Sequence, residues 1–285
     1  MTPSVAVVTD SAASLPPELA QRWGVRVVPL QVIVDGESFA EGEQITPAEV
    51  LAALVAGQAV TTSQPGIAAF EQAFAHAADA GATEIVAVLL SAKLSGTAAA
   101  AQAAAATIPV TVVDSGTVAM AVGYAALAAA ALAATGADGQ AVAAEARRVA
   151  DSSVCLFTVD SLDHLRRGGR LSPAAATVGK VLGVRPILEM RDGEVVLVDR
   201  VRTTARARAT LLECADEAIA ERVRPAVAVM ALDDADYAAD AARVLEAAHE
   251  RLAMTVRTTV SAVLSAHAGP GALAVVVVDL PEGIH

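Results

Sequence analysis

The sequence contains few aromatic side chains: four Phe, two Tyr and one Trp among 285 residues. Proteins that hold single strands of nucleic acid stack the bases on aromatic rings, so this composition argues against such a surface. Basic residues are scarce as well. The chain has 20 Lys and Arg against 32 Asp and Glu, a formal net charge of −12. That balance argues against nucleic acids and anionic membrane surfaces as partners.

Cysteine is also rare, with only Cys155 and Cys214 present. The two cannot build a disulfide framework and lack metal-ligand spacing, so we expect buried thiols in a reducing cytoplasm and no metal site. The first residues, MTPSVAVVTDS, lack the basic start and long apolar run of a signal peptide. The most hydrophobic segment, residues 120–134, is shorter than the roughly 18–20 residues that span a bilayer. It predicts a buried helix in a cytoplasmic protein without an integral membrane association.

Apolar residues are abundant, at 55% of the chain, and charged residues make up 18%. This composition excludes an intrinsically disordered chain. In the first half, runs of Val, Ile and Leu alternate with Ala-rich helical segments, which predicts a parallel sheet covered by helices on both faces. Strands are predicted over residues 5–9, 25–34 (interrupted by Pro29), 85–90 and 110–114, and helices over 16–23, 47–56, 67–80, 96–106, 119–134 and 141–152.

The pattern changes after about residue 152. Asp192 and Gly193 between two apolar runs predict a β-hairpin over residues 185–201. The other predicted elements are strands over 154–159, 226–232 and 272–280, helices over 203–222 and 234–252, an extended or mixed segment over 256–267, and a basic, Gly-rich loop over 164–173. We therefore predict an α/β fold of two domains, residues 1–152 with a parallel sheet and residues 153–285 with a mostly antiparallel one. A cleft between two such domains is the expected ligand position.

Polar residues collect where predicted strands end. Asp10, Ser11 and Asp114 are explained by helix capping or turn formation. Thr62, in the predicted loop 61–66, and Ser95 precede Ala-rich helices, whose free N–H groups and dipoles attract anions. Capping explains these two residues less completely, so they are candidates for binding a carboxylate or a phosphate.

Two further features stand out. His267 lies between small residues and glycines in a predicted loop, which suggests either an ordinary hydrogen-bonded histidine or a close approach to a ligand. Arginines cluster at 166, 167 and 170 and at 200 and 202. These arginines belong either to a solvated surface or to a docking site for a protein or a phosphate.

Eight of these segments, in this order, resemble the DegV family of bacterial fatty-acid-binding proteins. Any one of them is a weak signal, but together they span residues 7 to 278. They are VVTDSAASLP (7–16), TTSQPG (61–66), LLSAKLSGT (89–97), VVDSGTVAMAVG (112–123), LDHLRRGGRL (162–171), RPILEMRDGEV (185–195), VRTTARA (201–207) and SAHAGPGALAVVVV (265–278).

The resemblance implies a cytoplasmic, two-domain α/β carrier that holds a long-chain fatty acid between its domains and needs no cofactor. It implies that Thr62, Ser95 and His267 bind the carboxylate while the acyl chain occupies an apolar tunnel. It also implies a partner, a separate ATP-dependent fatty-acid kinase that makes the acyl-phosphate, so the carrier itself is not an enzyme. Arg170 and Arg202 are then candidates for the kinase interface, and a monomer suits a shuttle of this kind.

Two alternatives remain at the level of the residues. Ser95 and His267 are a potential nucleophile and base for acyl transfer or hydrolysis, provided that they lie within hydrogen-bonding distance. The same helix N-termini also suit a small phosphorylated metabolite.

Overall fold

The computed structural model describes residues 4–172 and 184–284. Its strands are β1 (Val5–Asp10), β2 (Arg26–Val28), β3 (Gln31–Val34), β4 (Glu37–Ala40), β5 (Val60–Ser63), β6 (Glu84–Leu89), β7 (Val110–Asp114), β8 (Val154–Thr158), β9 (Arg185–Arg191), β10 (Glu194–Val201), β11 (Pro225–Ala231), β12 (Met254–Thr259) and β13 (Leu273–Asp279). Its helices are α1 (Pro17–Trp23), α2 (Pro47–Val55), α3 (Ile67–Asp79), α4 (Thr97–Ala103), α5 (Met120–Ala133), α6 (Gly139–Asp151), α7 (Asp163–Arg167), α8 (Thr204–Ala220), α9 (Ala235–Ala248) and α10 (Ala262–Ala268).

The first sheet is parallel throughout, in the order β2-β1-β6-β7. Alternate side chains of its strands enter two separate apolar cores. Val7 and Val86 pack with helices α5 and α6, whereas Val8 and Ala87 pack with α3 and α4. The predicted parallel sheet with helices on both faces is confirmed.

The second sheet has six strands in the order β10-β9-β8-β13-β11-β12. Only the β11–β12 pair is parallel among its described pairings, so the predicted mostly antiparallel sheet is also confirmed. The predicted hairpin is β9–β10, with Asp192 and Gly193 at positive φ in its turn. Helices α8 and α9 cover the face of this sheet that points away from α5.

Helix α5 lies between the two sheets. Every residue from 120 to 130 is buried, because the helix packs on β1 and β6 on one side and on β13 on the other. Its alanines allow this close approach, and the Tyr124 hydroxyl donates a hydrogen bond of 2.6 Å to the Val227 carbonyl of β11. The predicted buried helix is therefore present, and no helix in the described part of the chain is long and apolar enough to cross a bilayer.

A third, small sheet differs from the sequence prediction. It is antiparallel, in the order β4-β3-β5. The single strand predicted over 25–34 divides around Pro29, so that β2 joins the first sheet and β3 joins the small one. The predicted loop 61–66 begins with strand β5, because Thr61, Thr62 and Ser63 pair with β3. Strand β4 was not predicted.

Two short helices also replace predicted irregular segments. The basic loop predicted over 164–173 begins as helix α7, and its residue 173 lies outside the described residues. The mixed segment 256–267 resolves into strand β12 and helix α10, which starts where the Ser261 side chain accepts a hydrogen bond from the Leu264 N–H. His267 therefore lies in the last turn of a helix rather than in a loop.

Candidate functional site

A cavity of about 880 Å³, including its open mouth, lies between loops of the first sheet, the small sheet, helix α10 and the face of the second sheet. Most of the wall is apolar. The apolar lining residues are Leu30, Leu90, Leu94, Val118, Ala119, Cys155, Phe157, Leu165, Val195, Met230, Val260, Val263, Leu264, Ala268, Ala272, Leu273 and Ala274.

The floor of the cavity is built by neighbouring strands of the second sheet. Phe157 of β8 lies opposite Ala274 of β13, which lies opposite Met230 of β11. A small side chain between two large ones leaves a shallow trough along β13. Every side chain in this row is apolar, so this part of the cavity offers van der Waals contact and no hydrogen bond.

Thr62 and His267 form the best-defined polar contact of the cavity. Thr62 Oγ1 and His267 Nε2 are hydrogen-bonded at 2.7 Å, across 205 positions of sequence. Strand β5 positions the threonine, because its side chains alternate and Thr62 faces inward while Thr61 and Ser63 are exposed. Helix α10 positions the histidine in its last turn. The contact joins the small sheet to helix α10.

Two glycines allow the polar groups to come this close. A Cβ atom at Gly168 would overlap with His267 Nδ1, and one at Gly96 would overlap with Gln64 Oε1. Any larger residue at either position would push aside a side chain that lines the cavity. The basic segment thus affects the site in two ways: it carries arginines, and its Gly168 lets the His267 ring lie close to the backbone.

His267 is neutral at physiological pH in this structure. Burial, with smaller contributions from the positive charge of Arg170 and from the neighbouring His164, lowers its pKa to about 4. A neutral imidazole has one nitrogen that donates and one that accepts. His267 therefore supplies a hydrogen bond at the polar end of the cavity rather than a positive charge.

Ser95 and Arg170 complete the polar end. Ser95 Oγ lies 2.8 Å from Thr97 Oγ1 in the turn that leads into α4. Arg170 Nε donates to the Leu94 carbonyl at 3.1 Å, and its Nη1 donates to the Gly168 carbonyl. The arginine thus bridges the loop that carries Ser95 and the turn that packs against His267, and it lines the cavity with a charged group.

The structure brings together four of the five site residues singled out in the sequence. Thr62, Ser95, His267 and Arg170 all line this cavity. Arg202 does not line it and is exposed in the turn between β10 and α8. Ser63 and Gln64 also line the cavity. Sequence reasoning had not assigned them a role, although both stand in the TTSQPG segment.

The hydrogen bonds of Ser95 and His267 go to different partners. Ser95 pairs with Thr97, and His267 pairs with Thr62. The nucleophile–base contact that acyl transfer would need is therefore not formed in this structure. The arrangement instead presents hydroxyl and imidazole groups beside one guanidinium, at the end of an apolar chamber.

These features define an α/β protein with two large sheets and an apolar cavity that has one polar end. The chain belongs to the DegV family: the family model described as "Uncharacterised protein, DegV family" matches residues 4–280.

Relatives of known sequence or structure support the same assignment. A DegV domain-containing protein of Streptomyces coelicolor is 42% identical over 283 residues, which cover 97% of this chain and 99% of that protein. The structure of a DegV family protein from Thermus thermophilus, described as fatty-acid-binding, has a TM-score of 0.89 at 32% identity and covers 97% and 100% of the two chains. DegV from Bacillus subtilis, described as a fatty-acid-binding protein, has a TM-score of 0.89 at 29% identity, with 97% and 99% coverage.

Proposed function

We propose that this protein binds a long-chain fatty acid, with the carboxylate at Thr62, Ser95 and His267 and the acyl chain in the apolar part of the cavity. The observation that carries the proposal is the 2.7 Å contact between Thr62 and His267 at the polar end of an otherwise apolar chamber. The two solved relatives described as fatty-acid-binding support it.

The apolar wall accounts for most of the binding free energy in this proposal. Each buried methylene contributes about 0.8 kcal/mol, so ~14 methylenes contribute about 11 kcal/mol before the costs of ordering the ligand. The polar end then selects the head group. Hydroxyl and imidazole groups hold the carboxylate by hydrogen bonds, and the guanidinium of Arg170 adds one positive charge beside them.

We further propose that the protein is a binding subunit, not an enzyme, and that it acts as a monomer in the cytoplasm. In this proposal residues 1–152 and 153–285 are two domains with the acid between them, and a separate ATP-dependent fatty-acid kinase phosphorylates the presented acid. The exposure of Arg202 and its position outside the cavity support a docking role for this residue. Arg170 lines the cavity and would meet the same partner near the head group.

Native mass spectrometry of the freshly purified protein, followed by solvent extraction, tests the binding proposal. We expect an adduct of one molecule per chain that the extraction identifies as a fatty acid. A delipidated sample that takes up added palmitate again would support the same conclusion. Protein that is bare and also fails to bind added fatty acids, but is thermally stabilised by phosphorylated metabolites, would contradict it.

A further inference from the structure

Glu41 is a buried acid behind the wall of the cavity. It directly follows strand β4, and its own N–H donates to the Leu30 carbonyl at 3.0 Å. Only 7% of the residue is exposed. A carboxylate in such a position is costly unless its oxygens are hydrogen-bonded, so its partners show what it holds in place.

Those partners belong to the cavity wall. Glu41 Oε1 accepts from the Val263 N–H at 2.9 Å, and Oε2 accepts from the Ser11 hydroxyl. Ser11 Oγ in turn accepts from the Leu30 N–H at 2.9 Å. Val263 and Leu30 both line the cavity. Glu41 therefore fixes two backbone segments of the wall, one directly and one through Ser11.

A second buried acid extends this arrangement. Asp10 Oδ2 accepts from the N–H of Leu90, another lining residue, at 2.8 Å, and Oδ1 accepts from the Ala12 N–H at 3.0 Å. Burial raises the pKa of Asp10 and of Glu41, and the two acids repel each other. Their hydrogen bonds to the wall offset the cost of placing both in the interior.

Glu41 and Thr62 contact opposite ends of helix α10. Both lie at the small sheet, Glu41 directly after β4 and Thr62 on β5. Helix α10 contacts that sheet at both of its ends. Its first turn is held by Glu41 through Val263, and its last turn meets Thr62 through His267. A seven-residue helix is about 10 Å long and rigid, so fixing its first turn sets the position of its last.

We propose that Glu41 is a positioning residue for His267: it clamps the first turn of α10 to the small sheet so that the imidazole meets Thr62 at the polar end of the cavity. The consequence for affinity rests on the proposed fatty-acid function, whereas the placement of the imidazole does not.

Glu41→Leu tests this role because leucine has a similar size and no acceptor. Neither the Val263 N–H nor the Ser11 hydroxyl keeps its partner, so the clamp on the first turn of α10 is removed. Ser11→Ala is the milder second variant, because it leaves the acid in place and removes the hydroxyl that holds Oε2 of its carboxylate. Glu49→Leu is the matched control, since Glu49 is an exposed acid on neighbouring α2 whose partner is Thr46.

Two measurements separate positioning from general stability. The first is the pH titration of the His267 ring followed by ¹⁵N NMR in ligand-free protein, assigned with a His267→Gln variant. Arg170 and His164 are the charged or titratable groups that influence His267, and neither is changed. We expect His267 to titrate closer to its ordinary pKa in Glu41→Leu, with a smaller change in the same direction in Ser11→Ala, and to titrate as in wild type in Glu49→Leu. The second measurement is palmitate affinity, which we expect to fall roughly tenfold, the equivalent of about one hydrogen bond.

The results distinguish the two proposals. If the wild-type protein binds no fatty acid, the proposed function is wrong. The NMR titration of His267 then still tests the positioning role of Glu41. Clamp variants that melt at lower temperature but keep the wild-type His267 titration and palmitate affinity would overturn the positioning role, because Glu41 would then only stabilise the fold. A Glu41→Leu protein that fails to fold leaves Ser11→Ala to give the same two readouts.

Discussion

Thr62→Val is the most direct perturbation of the polar end. Valine keeps the β-branched shape and the strand preference of threonine, so strand β5 is retained. The substitution removes one hydroxyl, which lies 2.7 Å from His267 Nε2 and, in the proposed complex, also binds the carboxylate. The backbone pairing of residue 62 with Val32 is unaffected.

The expected loss follows from the kind of bond removed. A hydrogen bond to a charged group is worth about 1.5–3 kcal/mol. Since about 1.4 kcal/mol corresponds to a tenfold change in Kd, we expect the affinity for palmitate to fall about 10- to 150-fold. In the proposed complex the acyl chain keeps its contacts with the apolar wall, which includes Phe157, Ala274 and Met230, so binding is weakened rather than abolished.

Competitive displacement of a fluorescent fatty-acid analogue measures this change, and calorimetric titration with palmitate provides a check. Thr61→Val is the matched control, because Thr61 is the exposed neighbour on the same strand and does not line the cavity. We expect wild-type affinity for the control. Equal affinities for Thr62→Val and Thr61→Val, in folded proteins, would refute the placement of the head group at Thr62.

Three further predictions concern other parts of the molecule. Burial raises the pKa of Asp10 from 3.8 to about 7, so the native state retains this proton more strongly and stability falls as pH rises from about 4 to about 7. Asp10→Asn should remove that pH-dependent contribution, which is at most about 4 kcal/mol. Urea unfolding at pH 5 and pH 8 measures it, and an equal change in the free energy of unfolding between the two pH values in wild type and Asp10→Asn would contradict the idea. Ala274→Phe fills the trough between Phe157 and Met230. It should shift the lipid extracted from the protein to shorter chains, and an unaltered lipid profile would argue against that path for the chain. Arg202→Ala should leave palmitate affinity unchanged and lower acyl-phosphate formation with the cognate kinase. Normal formation would remove Arg202 from the interface.

Much of the fold was predictable because its signals are local. Runs of Val, Ile and Leu separate strands from Ala-rich helices even in a chain where alanine is abundant. Asp192 and Gly193 place the hairpin turn because few other residues adopt a positive φ so readily. Thr62, Ser95 and His267 could be singled out because each stands in a short segment that resembles its counterpart in one family.

The remaining features depend on contacts between distant residues. Strand β5 has the polar sequence Thr61-Thr62-Ser63, and only its pairing with β3 makes it a strand. Gly168 belongs to the segment predicted as a basic, Gly-rich loop, but the sequence does not show that its missing side chain makes room for His267, nearly a hundred positions away. Glu41 had no signal, since an acid after a short strand is normally solvated. Its importance appears only when α10 is seen to pack against it.

The distribution of charge within the cavity indicates how affinity and selectivity are divided. The chain carries a net charge of −12, yet the described residues that line the cavity include no carboxylate, and Arg170 is their one formal charge. Burial keeps His267 neutral, so it adds a hydrogen bond and no second positive charge. A fatty alcohol or amide of equal length would make the same apolar contacts but would lose the attraction of Arg170. In the proposed complex the apolar wall therefore supplies most of the binding free energy, and the polar end favours an acid over these neutral head groups.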